Sequence, residues 1–314
     1  MKKMNIVRKM AGTLMAVTMV TGCITGCGTK TESQTAADAS AVSGESTESS
    51  QKFDTSKSIT VCSREDGSGT RGAFIELFGI EKKDENGEKV DHTTDEANIT
   101  NSTEVMMSTV AGSDYAIGYC SLGSLNDTVK ALTIDGVEAT AENVKAGTYT
   151  IARPFNIVTG NSLSDTAQDF INYIMSSDGQ KIIEDNGYVS VDDSAQAYTG
   201  SAAGKVTVAG SSSVYPVMSK LAEAYQAVNT GAEIDVQESD STTGIQNAID
   251  GICEIGMASR ALKDEETGVS ATTIAMDGIA VIVNNNNPMT DISPETVCSI
   301  FTGEKTVWDE VIGK

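Results

Sequence analysis

Three clusters of glycine and hydroxyl residues stand where a predicted strand runs into a predicted helix. They are Gly67-Ser68-Gly69-Thr70, Gly210-Ser211-Ser212-Ser213 and Ser241-Thr242-Thr243-Gly244. A helix start presents unpaired backbone N–H groups and the positive end of the helix dipole, and glycine lets a ligand approach the backbone. Any one cluster alone fits an ordinary N-cap. Because ligands of open α/β sheets bind outside the carboxyl ends of strands, three such turns could converge on one crevice and hold a small anion without a cofactor.

Arg64 stands just before the first cluster, and its planar guanidinium suits a tetrahedral oxyanion. Enzymatic chemistry is not favoured. The single histidine, His92, lies in the polar segment 81–98, so the Ser68 hydroxyl has no predicted base to activate it. The chain also lacks the GxxxxGK[ST] pattern of a nucleotide-binding P-loop. A hydrolase using Ser68 therefore ranks last among the functions considered, and we expect neither an enzyme nor a metal site.

Short Val- and Ile-rich runs alternate with segments of helical period, which predicts an α/β fold. The predicted strands are 59–63, 115–119, 129–134, 149–158, 205–209, 232–238, 253–258 and 278–284. The predicted helices are 101–111, 163–175, 178–186, 214–228, 242–250 and 293–301. The polar and charged segment 81–98 is predicted to be an excursion of the chain on the surface. The low-complexity stretch 192–204 is predicted to be a linker between the blocks 58–193 and 205–314.

The N-terminal residues predict export. A basic start and an apolar segment over 10–20 precede Cys23 and Cys27, and both cysteines follow the small-residue pattern of a lipobox, whose cysteine is acylated. We expect a lipoprotein signal peptide over 1–27 and a disordered tether over 28–57, which would anchor the protein outside the cytoplasm. The net charge of −22 argues against a nucleic-acid partner.

The other four cysteines, Cys62, Cys120, Cys253 and Cys298, lack the paired spacing of zinc or redox sites. Buried free thiols are the favoured interpretation. A disulfide between Cys62 and Cys120 stays open as the alternative for an exported protein.

Six segments resemble the phosphate-binding proteins of bacterial phosphate-specific ABC transporters, and the resemblance covers nearly all of 58–314. They are 63–71 (SREDGSGTR), 115–119 (YAIGY), 152–155 (ARPF), 209–216 (AGSSSVYP), 255–260 (IGMASR) and 300–303 (IFTG). The first is quite specific to that family. The resemblance implies a two-lobed periplasmic-binding-protein-like fold of type II that captures inorganic phosphate and delivers it to the transporter permease, acting as a monomer.

The ligand positions that the resemblance implies come from both lobes. Arg64, Ser68, Gly69 and Thr70 would contact phosphate from one lobe, and Ser212, the backbone of Ser213, and Ser241 from the other. Family members often carry an acidic residue near position 260, which accepts a hydrogen bond from protonated phosphate and helps to exclude sulfate. This chain has Arg260 there, so Arg260 is a further candidate ligand, and sulfate or molybdate stays open as the anion.

The order of the segments departs from the family. There the glycine-serine segment comes first, whereas here it follows the segment containing Arg64, which predicts a circular permutation in which 192–204 joins the old termini. Two crossing strands would then separate a discontinuous lobe B, 58–148 plus 287–314, from a continuous lobe A, 155–282, which contains the linker. A sensory or adhesion module with the same pocket stays open as an alternative function.

Overall fold

A computed structural model describes residues 52–312 of the chain. The predicted signal peptide, Cys23, Cys27 and most of the predicted tether lie outside the described residues. None of the helices in the described part is both long and apolar enough to span a bilayer.

The described residues form an α/β structure of fourteen strands, eight α-helices and two short 3₁₀ turns. The strands are β1 Thr60–Arg64, β2 Glu81–Lys83, β3 Lys89–Asp91, β4 Asn98–Thr100, β5 Ala116–Ser121, β6 Lys130–Ala131, β7 Thr133–Ile134, β8 Ala152–Thr159, β9 Val189–Ser190, β10 Gly204–Ser211, β11 Ala232–Ser239, β12 Ile255–Ala258, β13 Ser270–Val283 and β14 Asp291–Ile292. The helices are α1 Gly69–Leu77, α2 Thr103–Ala111, α3 Ala141–Lys145, α4 Asp165–Ile174, α5 Ser177–Asp185, α6 Tyr215–Val228, α7 Ser241–Ile249 and α8 Pro294–Phe301.

One curled sheet carries most of the strands, in the order β11-β10-β12-β8-β13-β5-β1-β4. Its two ends are parallel pairs, β10 with β11 and β1 with β4. The middle is antiparallel, because β13 pairs with β8 through its first half and with β5 through its second half. The long strand β13 therefore belongs to both halves of the sheet.

The predicted elements correspond to observed ones, with three differences. The run 129–134 is two short strands, β6 and β7, rather than one. The last predicted strand, 278–284, begins earlier, at Ser270, because the polar residues 270–273 pair with β8. The polar segment 81–98 contains a small hairpin of β2 and β3.

Two main hydrophobic cores lie on either side of the antiparallel middle of the sheet. Core A is built by residues 155–275 and includes Phe155, Phe170, Val208, Leu221 and Ile274. Core B is built by residues 61–151 and 279–308 and includes Val61, Phe74, Ile117, Ile151 and Val281. Burying a side chain of this size stabilises the folded state by about 1.5–3 kcal/mol. The chain crosses between the cores along β8 and β13; the exact lobe boundaries stay a prediction.

The two ends of the described chain lie side by side. The N–H of Trp308 donates to the carbonyl of Lys57 at 3.1 Å, and the N–H of Ile59 donates to the carbonyl of Thr306 at 2.8 Å. Trp308 is fully buried and packs edge-on against Phe53, with its indole N–H donating to the carbonyl of Tyr115. Residues 313 and 314 lie outside the described part.

The predicted linker 192–204 is fixed to the neighbouring helices. Tyr198 packs against Tyr173 and Tyr225, and its N–H donates to the side chain of Asp178 at 2.7 Å. The four cysteines in the described part are free, so the alternative of a bond between Cys62 and Cys120 is not realised. Three are buried as expected, whereas Cys298 is only partly buried.

Candidate functional site

Four helices begin at the carboxyl ends of the two parallel strand pairs. β1 leads into α1 and β4 leads into α2, and on the other side β10 leads into α6 and β11 into α7. The structure confirms that helices begin at the three clusters predicted from the sequence, namely α1, α6 and α7. The fourth helix, α2, corresponds to the predicted helix 101–111. Its start is not among the three predicted clusters, although Thr100-Asn101-Ser102-Thr103 places hydroxyl residues before a helical segment in the same way.

Three of these helices are capped by their own side chains. Ser68, Ser102 and Asp240 accept hydrogen bonds from backbone N–H groups in the first turns of α1, α2 and α7. Asp240, rather than a residue of the predicted serine-threonine cluster, is therefore the N-cap of α7. Helix α6 follows Val214 and has no side-chain cap. An anion at the start of α6 would therefore meet a helix end whose positive dipole no side chain satisfies.

Arg64 is 2% exposed, and its guanidinium touches residues that precede or begin two other helices. Nη2 donates to Ser212 Oγ at 3.0 Å, and Nη1 donates to Thr103 Oγ1 at 3.3 Å. Glu65 accepts two further bonds, from Nε at 2.8 Å and from Nη2 at 2.7 Å. The carboxylate of Glu65 thus fixes the plane of the guanidinium and partly balances its charge.

A second bridge joins the two cores through hydroxyl groups. Thr70 Oγ1 lies 2.8 Å from Ser213 Oγ, and Thr103 Oγ1 lies 3.1 Å from the same atom. Thr70, Thr103 and Ser213 are all buried. The predicted residues Arg64, Thr70, Ser212 and Ser213 are therefore brought together, and Thr103 joins them.

Glycine lets the start of α1 approach the start of α7. A Cβ atom on Gly69 would stand 2.5 Å from Ser241 Oγ and 2.7 Å from Ser259 Oγ. One on Gly67 would stand 2.4 Å from a carboxylate oxygen of Asp240, and the carbonyl of Gly67 accepts a bond from the N–H of Thr242 at 3.2 Å. Only glycine permits so close an approach.

Ser241 is fully buried beneath this contact. Its Oγ accepts a hydrogen bond from the N–H of Ser259 at 3.0 Å and lies 3.3 Å from Ser259 Oγ. Ser259 in turn contacts Ser211 Oγ at 3.0 Å. The sequence offered Ser259 only as part of the segment 255–260.

Arg260 is held by an acidic neighbour. Its guanidinium makes two bonds of 2.7 and 2.8 Å to the carboxylate of Glu266 and one of 3.1 Å to Thr242 Oγ1. Burial alone raises the pKa of Glu266, but the bonds from Arg260 and from the Lys263 N–H outweigh it and leave that pKa below its ordinary value. The charge of Arg260 is therefore largely neutralised where it stands.

Arg153 and Asp277 form a buried ion pair next to these residues. Nη1 of Arg153 lies 2.9 Å from a carboxylate oxygen of Asp277, and Nη2 donates to Thr70 Oγ1 at 2.9 Å. Burial raises the pKa of Asp277 to about 6 and lowers that of Arg153. No local pattern in the sequence indicates this pair, because the two residues meet only through the pairing of β8 with β13.

A cleft of about 700 Å³ opens beside the cluster and is lined by Thr103, Ser212, Tyr215, Glu104 and Glu238, among others. Burial and the charge of Glu104 raise the pKa of Glu238, and the positive charge of Arg64 only partly opposes this shift. Within residues 52–312, no three His, Cys, Asp or Glu side chains are grouped so that they could hold a metal ion. Glu104 and Glu238 line the cleft itself. In the cluster beside it, one arginine, several hydroxyls and helix N-termini converge, which is a set that binds an oxyanion.

Comparison with known proteins relates the chain to proteins of this kind. Residues 15–178 and 195–314 match the model of the PBP superfamily domain. The chain is 56% identical over 257 residues to Phosphate-binding protein PstS 2 of Streptococcus agalactiae, covering 81% of this chain and 87% of that protein. Phosphate-binding protein PstS 2 of Streptococcus pneumoniae is 46% identical over 263 residues, which is 83% of this chain and 90% of that protein.

A solved structure agrees with these relatives. The crystal structure of a phosphate ABC transporter phosphate-binding protein from Streptococcus pneumoniae covers 81% of this chain and 100% of its own, with 46% identity and a TM-score of 0.65. The matches extend over most of both partners in each case. The chain therefore belongs to the PBP superfamily and, within it, to the family of phosphate-binding proteins.

Proposed function

We propose that this chain is the solute-binding protein of a phosphate importer, which captures one inorganic phosphate between cores A and B and delivers it to an ABC transporter permease. Its relatives carry the name phosphate-binding protein. The observation that carries the proposal is the guanidinium of Arg64, which is buried and bonded to hydroxyls on both sides, Ser212 and Thr103. Buried hydroxyls and one planar cation are the donors that an oxyanion needs.

The ligand set proposed for phosphate is Arg64, Ser68, Gly69, Thr70, Ser212, Ser213 and Ser241. We add Thr103 to this proposal, because its hydroxyl contacts Arg64 and Ser213. The uncapped start of α6 would supply a positive helix end to the anion. Arg260, the further candidate ligand from the sequence, has the least support for binding phosphate, because Glu266 already accepts two bonds from its guanidinium. We propose that Arg260 shapes the rim of the site through Thr242 rather than binding phosphate directly.

Isothermal titration of the purified chain with phosphate, sulfate and molybdate tests the ligand. We expect one phosphate per chain and much weaker heats with the other two anions. Tighter binding of sulfate or molybdate would redirect the function to another oxyanion. Absence of any anion binding would refute the proposal.

We propose that Cys23 or Cys27 is acylated and anchors the protein outside the cytoplasm, and that the protein acts as a monomer without enzymatic activity. Mass spectrometry of the mature protein from Cys23→Ala and Cys27→Ala strains identifies the acylated residue. Phosphate uptake by a deletion strain separates transport from sensing or adhesion, and turnover of a chromogenic phosphoester would contradict a purely binding role.

A further inference from the structure

The buried ion pair of Arg153 and Asp277 joins the two strands that carry the chain between the cores. Arg153 on β8 and Asp277 on β13 are direct partners in the antiparallel register. Their side chains are 2% and 0% exposed, and among residues 52–312 no other ion pair has both side chains below 5%. The pair therefore stands where cores A and B meet.

Burying these two charged side chains costs free energy, because both are removed from water. Among the described protein atoms, Nε and Nη1 of Arg153 and Oδ2 of Asp277 have no well-aligned hydrogen-bond partner, although Nη1 and Oδ2 lie 2.9 Å apart. Two apolar residues of similar volume commonly stabilise a core as well as an ion pair, or better. A role in packing alone is therefore a poor explanation for an incompletely satisfied pair at this position.

One contact of Arg153 leads into the proposed phosphate site. Its Nη2 donates to Thr70 Oγ1 at 2.9 Å, and that oxygen lies 2.8 Å from Ser213 Oγ. A guanidinium can only donate, so Thr70 Oγ1 must accept from Arg153. The single proton of the Thr70 hydroxyl is then free to be donated elsewhere.

We propose that Arg153, held in place by Asp277, is a positioning residue that makes Thr70 a hydrogen-bond donor to the bound phosphate. The proposal rests on the function and ligand set proposed above. Arg153 acts through Thr70 and does not itself touch the anion. A neighbouring cation also polarises the hydroxyl, so the bond that Thr70 donates is stronger than that of an isolated threonine.

A double-mutant cycle on phosphate affinity tests this role. Arg153→Met combined with Asp277→Leu removes both buried charges together, which avoids leaving Asp277 unpaired. This pair of changes is made in the wild-type chain and in the Thr70→Val background. Phosphate dissociation constants are measured by titration, and melting temperatures are recorded without ligand.

In the wild-type background, loss of the oriented and polarised donor should weaken phosphate binding about three- to tenfold. In the Thr70→Val background the same changes should weaken it by less than about twofold, because the hydroxyl through which Arg153 acts is already gone. Equal losses in the two backgrounds, or no loss in either, would overturn the inference. A wild-type chain that fails to bind phosphate would instead refute the proposed function.

A second variant keeps the test decisive if the doubly substituted core does not fold. Arg153→Lys keeps a positive charge opposite Asp277 but loses the planar fork that reaches Asp277 and Thr70 together. It should show the same dependence on the Thr70 hydroxyl. A loss of affinity that is the same with and without Thr70→Val would again assign Arg153 a purely structural role.

Discussion

The guanidinium of Arg64 donates a 3.0 Å hydrogen bond to Ser212 Oγ, although 148 residues separate the two in sequence. Arg64 ends β1, beside core B, and Ser212 follows β10, beside core A. The bond therefore spans the boundary between the cores. An anion bound at this point would compete with Ser212 for the donors of the same guanidinium.

Removing this guanidinium should abolish most of the affinity. A hydrogen bond to a charged ligand contributes about 1.5–3 kcal/mol, so Arg64→Ala should weaken phosphate binding at least ten- to a hundredfold. Lys181→Ala is the control, since Lys181 is 72% exposed and pairs only with Asp185. Titration measures both. Unchanged affinity in Arg64→Ala would show that the site is misplaced.

Thr103 is the proposed phosphate-binding residue that the sequence did not reveal, and it can be tested by itself. Thr103→Val keeps the volume of the side chain but removes the hydroxyl that contacts Arg64 and Ser213. We expect roughly a tenfold loss of phosphate affinity, by the value of one buried hydrogen bond. Thr109→Val is the matched control on the same helix, because its hydroxyl bonds only to the carbonyl of Val105. Equal effects of the two changes would remove Thr103 from the site.

Alanine substitutions at two glycines of α1 distinguish two effects: the close approach of α1 to α7, and the helix propensity of the residue. Gly69→Ala would place Cβ 2.5 Å from Ser241 Oγ and 3.0 Å from the backbone of Ser259, so the two helix starts must move apart. Phosphate affinity should then fall by about tenfold or more. Gly72→Ala meets nothing nearer than 3.9 Å, and should stabilise the helix by about 0.5–1 kcal/mol without weakening binding. Titration and thermal melting of both variants decide between these outcomes.

The pair of Arg260 and Glu266 should make stability sensitive to acid. The folded pKa of Glu266 is lowered from its ordinary value of 4.5, because the hydrogen bonds from Arg260 and Lys263 outweigh burial. A lowered folded pKa contributes stability that is present above the ordinary value and lost as the pH falls through the folded pKa. Wild type should therefore lose its advantage over Glu266→Gln below about pH 4.5.

Melting temperatures between pH 3 and 7 measure this effect. Glu223→Gln serves as the matched control, since the Glu223 side chain is 76% exposed and pairs only with Lys220. Parallel pH profiles for wild type and Glu266→Gln would contradict the assignment.

The adjacency of the chain ends allows the proposed permutation to be tested by reversing it. The carbonyl of Lys57 accepts a bond from the N–H of Trp308, so a short linker could join the C-terminal end of the described part to position 57. A chain that begins at 201 and ends at 199 keeps Tyr198 in place. It should fold and bind phosphate within about threefold of wild type, because both new ends lie at exposed positions. Failure of this chain to fold would show that the fold does not tolerate the family's order of segments, and would argue against the predicted permutation.

The sequence predicted the helix starts well because their signal is local. Glycine and hydroxyl residues follow hydrophobic runs, as at Ser68 and Ser212, and both features lie within a few residues of each other. Thr103 escaped because β4, the strand before it, has three residues of which two are exposed, so no hydrophobic run marked it. Arg153 escaped because its partners Asp277 and Thr70 are brought to it only by sheet pairing and helix packing.

Trp308 is the single tryptophan of the chain, and its surroundings determine what a fluorescence experiment can report. The indole is fully buried, bonded to the carbonyl of Tyr115 and packed against Phe53, where the two ends of the described part lie side by side. Phosphate bound near Arg64 would not touch it. Intrinsic emission should therefore follow global unfolding and the contact between segments 53–59 and 306–308. Titrations of ligand will need calorimetry or an introduced dye near the cleft.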